Sequence, residues 1–308
     1  MKKAILTVLL LLLILLVSAA QADTVTIAGK EYNASLETLD LSRAAITNVN
    51  KLEEALCAMP NLTYVDLSST GLSNEVLAAL RERMAERGVK IVWTLRFDIY
   101  TVRTDATAFS TLHSTGDRRL GQAVLRVLSY CTDLKALDLG HNYITDASFL
   151  EPLTQLRVLI LSDNRIKDLS VLAGKPLQYL EAFNNGLTDI SWLEDCETLI
   201  DLNLCLNHIT DLSPLYQLPN LKRVYISSYK ANEPGKAAID EFLSWQQDNL
   251  EAWNFTSQYP TLYGWREDSQ GVGHPRYEIV KAMFKEGVYY DFNYVLREDQ
   301  YVHLFKDK

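Results

Sequence analysis

The sequence lacks the features that mark enzymes and nucleic-acid-binding proteins. It has no nucleophile motif, no spacing of His, Cys, Asp or Glu typical of metal ligands, and no glycine-rich phosphate loop. Basic residues are outnumbered, with 30 Lys and Arg against 39 Asp and Glu, which gives a net charge of −9. A chain of this charge is a poor partner for nucleic acid or an anionic membrane surface. We therefore expect no catalytic residue, no metal, no cofactor and no nucleic-acid partner.

The sequence has a single long hydrophobic run, which lies at its start. Lys2 and Lys3 precede an apolar run over residues 4–17 that is interrupted by Thr7 alone, and Ala20, Gln21 and Ala22 follow it. These three parts predict a secretory signal peptide over residues 1–22, cleaved near Ala22. A bilayer span needs roughly 20 apolar residues, so an uncleaved anchor is the less favoured alternative. We expect a secreted or extracytoplasmic monomer that is not inserted in the membrane after cleavage.

What the sequence does contain is a repeat. Leu134, Leu156, Leu177, Leu199 and Leu221 are spaced by 22, 21, 22 and 22 residues, with further apolar residues at the fourth and sixth places of each unit. Each of the first four leucines is followed eight residues later by an asparagine: Asn142, Asn164, Asn185 and Asn207. This period and order are typical of leucine-rich repeats, whose units bury their leucines by stacking on one another. The asparagines are expected to form a structural ladder by bonding backbone groups of adjacent turns.

The four regular units resemble internalin-type bacterial leucine-rich repeats. The 22-residue consensus of that type is followed by Leu199, Leu202, Leu204, Asn207, Ile209, Asp211, Leu212, Leu215 and Leu218. The likeness covers Leu134 to about Ile226, with looser copies from Leu36 and to Phe255. It implies an α/β solenoid, a leucine-rich repeat horseshoe with a concave parallel sheet, convex turns and short helices, and an irregular C-terminal cap. It also implies protein recognition by a secreted or surface-displayed bacterial protein.

The repeats set the predicted domain organisation. We expect a leucine-rich repeat array over residues 23–255 with eight clear strands, and an aromatic-rich C-terminal cap over residues 256–308. In a long early unit, Ser73 and Gly88 bracket a stretch with helical spacing. The register is lost in an irregular segment, residues 89–131, where one or two irregular repeats or an inserted hairpin would both fit.

Four cysteines in a secreted chain raise the question of disulfides. Cys131 and Cys196 occupy the same place in units three repeats apart. At roughly 4.8 Å per strand they would lie about 14 Å apart, beyond the limit of about 7 Å for a bridge. Cys205 falls on the open face of the sheet and Cys57 before the second strand, so the sequence offers no obvious pairing.

The candidate binding surface is the concave face, formed by the third, fifth and seventh residues of each unit, which stacking lines up in columns. Aromatic, arginine, acidic and apolar residues concentrate there in the last four regular units. This composition is typical of protein-binding hot spots. We therefore predict a protein-binding site at Ile160, Tyr179, Glu181, Phe183, Asp201, Asn203, Arg223 and Tyr225. The alternative is that aspartate at the fifth place is ordinary in such repeats and that the exposed aromatic residues have no binding role.

The C-terminal stretch offers a second reading. It is rich in tyrosine and carries His274, Arg276 and Glu278, with Glu267 and Asp268 nearby. Its expected role is to cover the last apolar face of the stack, with a helix starting after Pro275. The alternatives are binding of glycan or the cell envelope by its aromatic rings, or acid–base chemistry by the His274 cluster. We favour a non-catalytic protein-interaction module binding through the concave sheet.

Overall fold

A computed structural model describes residues 24–111, 119–227, 233–251, 265–267 and 270–297. The predicted signal peptide lies outside these residues, as does the predicted eighth strand at Trp253 and Phe255. The chain divides into two compact units, residues 1–94 and 95–308. The division falls inside the irregular segment. The repeat strands form two parallel sheets, one in each unit.

The first unit holds a hairpin and three parallel strands. Strands β1 (Thr24–Ile27) and β2 (Lys30–Asn33) pair antiparallel. Strands β3 (Thr38–Asp40), β4 (Tyr64–Asp66) and β5 (Lys90–Val92) pair in parallel and in chain order. Their central side chains point into the interior, as alternation along a strand requires: Leu39, Val65 and Ile91 are buried.

Two helices connect these three strands. Helix α1 (Val49–Cys57) starts at Asn48, whose side chain accepts a hydrogen bond from the backbone N–H of Lys51 at 3.1 Å. Helix α2 (Asn74–Ala85) starts at Ser73 in the same way. Gly88 follows α2 with φ at +75°, a conformation that glycine adopts without strain. The helix predicted between Ser73 and Gly88 is confirmed.

The second unit begins with a hairpin and continues as a six-stranded parallel sheet. Strands β6 (Thr94–Phe97) and β7 (Tyr100–Arg103) form a two-stranded sheet across a two-residue turn. The six parallel strands follow in chain order: β8 (Ala108–Ser110), β9 (Ala136–Asp138), β10 (Val158–Ile160), β11 (Tyr179–Glu181), β12 (Asp201–Asn203) and β13 (Arg223–Tyr225). The irregular segment therefore holds both extra repeat strands, β5 and β8, and an inserted hairpin. Residues 112–118 of this segment are not among the described residues.

Short helical pieces lie between the strands of the second unit. Helix α3 (Gln122–Leu125) continues into a 3-10 helix, and four further 3-10 helices follow. In each of those four units an aspartate carboxylate accepts a hydrogen bond from the backbone N–H of a serine two residues on, at 2.7 to 2.9 Å. This local bond favours a turn over a continued strand. The aspartates are Asp146, Asp168, Asp189 and Asp211.

The four repeat asparagines form a buried ladder. The Asn164 Oδ1 accepts from the Ile144 N–H of the preceding unit at 2.9 Å. Its Nδ2 donates to the carbonyls of Leu139 at 2.9 Å and Leu161 at 3.0 Å, one in each unit. Asn185 and Asn207 make the corresponding bonds, and Asn142 bonds the Leu120 N–H and the Thr111 hydroxyl. Backbone groups that no strand partner reaches are satisfied in this way.

Two longer helices complete the described chain. Helix α4 (Glu233–Asn249) follows the last described repeat. Helix α5 (Pro275–Glu286) starts with proline at its first position and ends at Gly287, which has φ at +69°. The helix after Pro275 was expected from the sequence. Within the described residues, no helix is both long and apolar enough to cross a membrane.

The four cysteines carry no disulfide. Cys131, Cys196 and Cys205 are buried thiols and Cys57 is half-buried. This agrees with the distance argument for Cys131 and Cys196. Cys205, expected on an open face, is 1% exposed.

Candidate functional site

The parallel register builds the predicted columns on the concave face. In the third-place column Tyr179 lies beside Asp201, and Asp201 beside Arg223. In the fifth-place column the neighbours are Ile160, Glu181, Asn203 and Tyr225. The strands β10 to β13 therefore bring the predicted residues together on one face.

The expectation that these eight side chains line an open surface is wrong for this structure. Tyr179, Glu181 and Asp201 have no exposed surface, and Arg223 is 1% exposed. Ile160, Asn203 and Tyr225 are also buried, and Phe183 is half-buried. The physical reason is that another part of the same chain covers them.

That part consists of residues 265–267 and 270–297, here called the C-terminal segment. Its Trp265 ring lies 5.3 Å from the ring of Tyr225 and 5.7 Å from that of Tyr179. Helix α5 packs against β8 and β9, and its apolar side chains join one core with the concave face. The buried members from the segment are Trp265, Ile279, Val280, Ala282, Met283 and Leu296. The segment thus lies across the sheet, whereas the sequence pattern predicted a cap on the end of the stack.

Glu181 is the centre of the first polar contact beneath the segment. The Arg266 guanidinium donates to both carboxylate oxygens, at 2.5 Å from Nη2 and 3.1 to 3.2 Å from Nε. The Trp265 indole N–H donates to the same carboxylate at 2.7 Å, and the Tyr179 hydroxyl donates to it as well. Burial by itself would raise the pKa of Glu181, but the charge and hydrogen bonds of Arg266 hold that pKa below its ordinary value. Glu181 is therefore a buried, fully bonded carboxylate.

Asp201 is the centre of the second contact. Arg276 binds it through two parallel hydrogen bonds of 2.8 Å, from Nε and Nη2, the fork geometry that arginine offers a carboxylate. Arg223, from the neighbouring strand, adds two bonds of 3.3 Å. The Arg223 guanidinium also donates to the Trp265 carbonyl at 2.8 Å and lies 3.9 Å from the centroid of the Trp265 ring. Two arginines of the segment thus bind two carboxylates of the sheet.

Asp138 is a third buried carboxylate on this face, and the predicted site omitted it. It accepts hydrogen bonds from the Ser110 hydroxyl and the Gly140 N–H, both at 3.0 Å. Burial raises the pKa of Asp138 to about 6, because these bonds and the more distant charge of Arg266 only partly offset the loss of solvent. Its place in the fifth-place column was visible in the sequence. The covering segment that changes its pKa was not.

The cluster considered for acid–base chemistry has structural partners. His274 is 4% exposed, and its Nδ1 accepts from the Arg276 N–H at 3.3 Å as the N-cap of α5. Burial and the nearby Arg223 and Arg276 lower the pKa of His274 to about 3. The Glu278 carboxylate contacts Lys281 Nζ at 2.9 Å. Asp268 lies outside the described residues, and among those described no three His, Cys, Asp or Glu side chains form a metal-binding group.

Among the described residues, the aromatic rings of the C-terminal stretch pack towards the sheet. Trp265 has no exposed surface, and Tyr277, Tyr289 and Phe292 are half-buried against the core of the concave face. A sugar cannot stack on the buried Trp265 ring, and the half-buried rings offer it less surface. The geometry therefore does not favour the glycan alternative.

Comparison with known proteins identifies the repeat. Residues 132–174 match the family model described as leucine-rich repeats, two copies. No curated protein sequence matches the chain. The family match and the repeat-by-repeat parallel register together confirm the prediction of leucine-rich repeats.

Solved structures similar to the chain include two internalins of Listeria monocytogenes. The internalin inlF is 20% identical over 73% of this chain and 56% of its own, with a TM-score of 0.36. Internalin C2 is 22% identical over 69% of this chain and 83% of its own, with a TM-score of 0.35. The ectodomain of the Arabidopsis thaliana receptor kinase GASSHO1/SCHENGEN3, solved with Casparian strip integrity factor 2, is 17% identical over 63% of this chain and 20% of its own, with a TM-score of 0.35. The chain thus spans about half the length of inlF.

Proposed function

We propose that this leucine-rich repeat chain is a non-catalytic protein-interaction module, secreted through residues 1–22, that binds a polypeptide on the concave face of β10 to β13. The repeat fold supports an interaction role, since stacked repeats present side chains in ordered columns. Fold alone does not assign a function. The argument therefore depends on the chemistry of the face.

One observation carries the proposal: in this structure the face already binds a polypeptide, the C-terminal segment of the same chain. The contact has a buried indole ring, two arginines on two carboxylates and apolar packing around them. Buried tryptophan, tyrosine and arginine are the residues that dominate the energy of protein interfaces. These contacts support the proposal that the face binds a polypeptide.

A partner protein would have to replace the segment. Its apparent affinity is then reduced by the fraction of molecules whose face is open, so a face open one part in a hundred weakens binding roughly a hundredfold. Changes that loosen the segment should strengthen partner binding, whereas changes to the face itself should weaken it. These opposite effects distinguish the proposal from a face that is only a structural core.

The test uses residues 23–308 to capture proteins from cell-envelope and culture fractions. In the segment variant, Arg266→Ala with Arg276→Ala, Glu181 and Asp201 lose arginines from a buried contact, which costs about 3–5 kcal/mol per broken pair. We expect the segment to open and the amount of captured partner to rise at least tenfold. Adding Tyr179→Ala, Phe183→Ala and Tyr225→Ala to that variant should abolish capture.

The matched control is Arg126→Ala. Arg126 is an exposed arginine that pairs with Asp146 at 3.3 Å, away from the concave face, so its loss should not alter capture. Circular dichroism and thermal unfolding establish that each variant folds. Capture that is the same for the parent, the segment variant and the aromatic replacements would rule out the concave face as the binding site.

A further inference from the structure

The contacts of the C-terminal segment carry information on the chemistry of the partner. On the concave face of β9 to β13 the charged side chains are three carboxylates, Asp138, Glu181 and Asp201, and one arginine, Arg223. The face is thus acidic within a chain of net charge −9. Only a ligand that supplies positive charge or hydrogen-bond donors can bury such carboxylates without a large desolvation penalty.

The segment meets this requirement with donors at defined positions. Arg266 binds Glu181 on β11 and Arg276 binds Asp201 on the adjacent strand β12. Both arginines use two nitrogens, which fixes their orientation as well as their charge. The strand spacing therefore sets the distance between two arginine subsites.

A third subsite accepts an indole. The Trp265 ring lies between Tyr179 and Tyr225 and against the Arg223 guanidinium, and its N–H donates to Glu181. A phenylalanine could fill the same space but would leave the carboxylate without this donor. The arrangement selects an aromatic ring that also donates a hydrogen bond.

We infer that the partner is a protein segment that places a tryptophan–arginine pair and a second arginine on Tyr179, Glu181, Asp201 and Tyr225. In this structure Trp265, Arg266 and Arg276 hold the site in cis by the same contacts. The inference rests on the proposed function and names the class of its ligand. Nucleic acids and acidic glycans are excluded as occupants by the charge of the face.

The probe is a fluorescent peptide with the sequence of residues 265–287, added to the full chain. The parent should bind it weakly, because its own segment is present at a high effective concentration. The segment variant, Arg266→Ala with Arg276→Ala, should bind it at least tenfold more tightly. A peptide carrying the same two replacements should lose that gain.

The carboxylate variant provides the matched control. Glu181→Gln with Asp201→Asn breaks the same two ion pairs from the side of the sheet, so it loosens the segment but also removes the peptide's anchors. It should not bind the peptide more tightly than the parent does. If the segment variant fails to fold, the variant Arg266→Lys with Arg276→Lys is used in its place. Lysine keeps the positive charge but cannot form the two-nitrogen contact that arginine makes with a carboxylate.

The outcomes separate the two proposals. Failure of the folded segment variant to bind the peptide, or equal binding of peptides with and without the arginines, overturns the inference. If envelope proteins are then still captured through the aromatic face, the proposed function stands with a partner of different chemistry. Concentration-dependent dimers in light scattering, abolished by the carboxylate variant, would support the motif and identify its donor as a second copy.

Discussion

Among single residues, the three carboxylates of the concave face show how a neighbour decides the state of a buried acid. Glu181 and Asp201 each have a guanidinium within hydrogen-bond distance, whereas the nearest bonds to Asp138 come from a hydroxyl and a backbone amide. Neutral donors offset less of the cost of burying a charge than a paired cation does. The pKa is therefore lowered at Glu181 and raised at Asp138.

Asp138→Asn should stabilise the protein at neutral pH. Because the folded pKa of Asp138 is about 6 and the ordinary value is 3.8, the folded state holds a proton that the unfolded state has lost between those values. Stability contributed by Asp138 thus falls as pH rises from about 4 to 6 and stays low above 6. The asparagine variant should gain up to about 3 kcal/mol in free energy of unfolding at pH 7. Its gain should disappear below about pH 4 in denaturant titrations; a gain of equal size at pH 4 would contradict the raised pKa.

The sequence placed Asp138 in its column but could not indicate its burial. Helix α5, which covers Asp138, begins at Pro275, more than a hundred residues after Asp138 in the sequence. Periodicity reports which side of a strand a residue occupies, and it carries no information on what packs over that side.

Among the elements, helix α5 shows both what local sequence dictates and what it leaves open. Pro275 predicted the start of the helix, because proline lacks an N–H that would be unsatisfied there, and the helix begins at Pro275. The helix ends before Gly287, which tolerates the positive φ at that place. That end was not predicted. Histidine at the N-cap is less usual, and its burial makes the helix start sensitive to acid.

His274→Asn should make the protein more resistant to acid. The pKa of His274 is lowered to about 3 in the folded state, so below its ordinary value of 6.5 the unfolded state binds a proton that the folded state excludes. Stability is therefore lost as pH falls from 6.5 towards 3. Asparagine is an effective N-cap that does not titrate. Chemical unfolding measures the free energy of unfolding of variant and parent. The difference between the two, variant minus parent, should be about 2 kcal/mol larger at pH 5 than at pH 8. A difference that does not change with pH would contradict this.

Across the whole molecule, the asparagine ladder couples four repeats of the second unit, those of β9 to β12, each to the one before it. In a stack of repeats, stability is a sum of intrinsic terms and nearest-neighbour terms, and the ladder belongs to the second kind. Asn164 bonds backbone groups of two units at once. Its loss should therefore weaken the stack between β9 and β10.

Asn164→Ala should lower the free energy of unfolding by about 3 kcal/mol or more, since unsatisfied buried polar groups cost roughly 1–3 kcal/mol each. Denaturant unfolding measures the change. The matched control is Asn220→Ala, at an exposed asparagine that bonds the Glu197 carbonyl at 2.8 Å, which should change stability by about 0.5 kcal/mol at most. Similar losses at both positions would show that the ladder has no special role.

The repeat, its register and the residues of each column follow from the amino-acid sequence alone. The reason is that these features are local: Leu159 alternates with its neighbours, and Asn164 terminates the strand of its own unit. The start of helix α5 at Pro275 was predicted as well.

The covering of the concave face, by contrast, depends on tertiary contacts. Trp265, Arg266 and Arg276 reach Glu181 and Asp201 across 75 to 85 residues of sequence. Such contacts depend on complementary charge and shape between distant surfaces, which periodicity does not encode. The sequence of these columns would be the same whether solvent, a partner or the chain's own C-terminal segment lay over them.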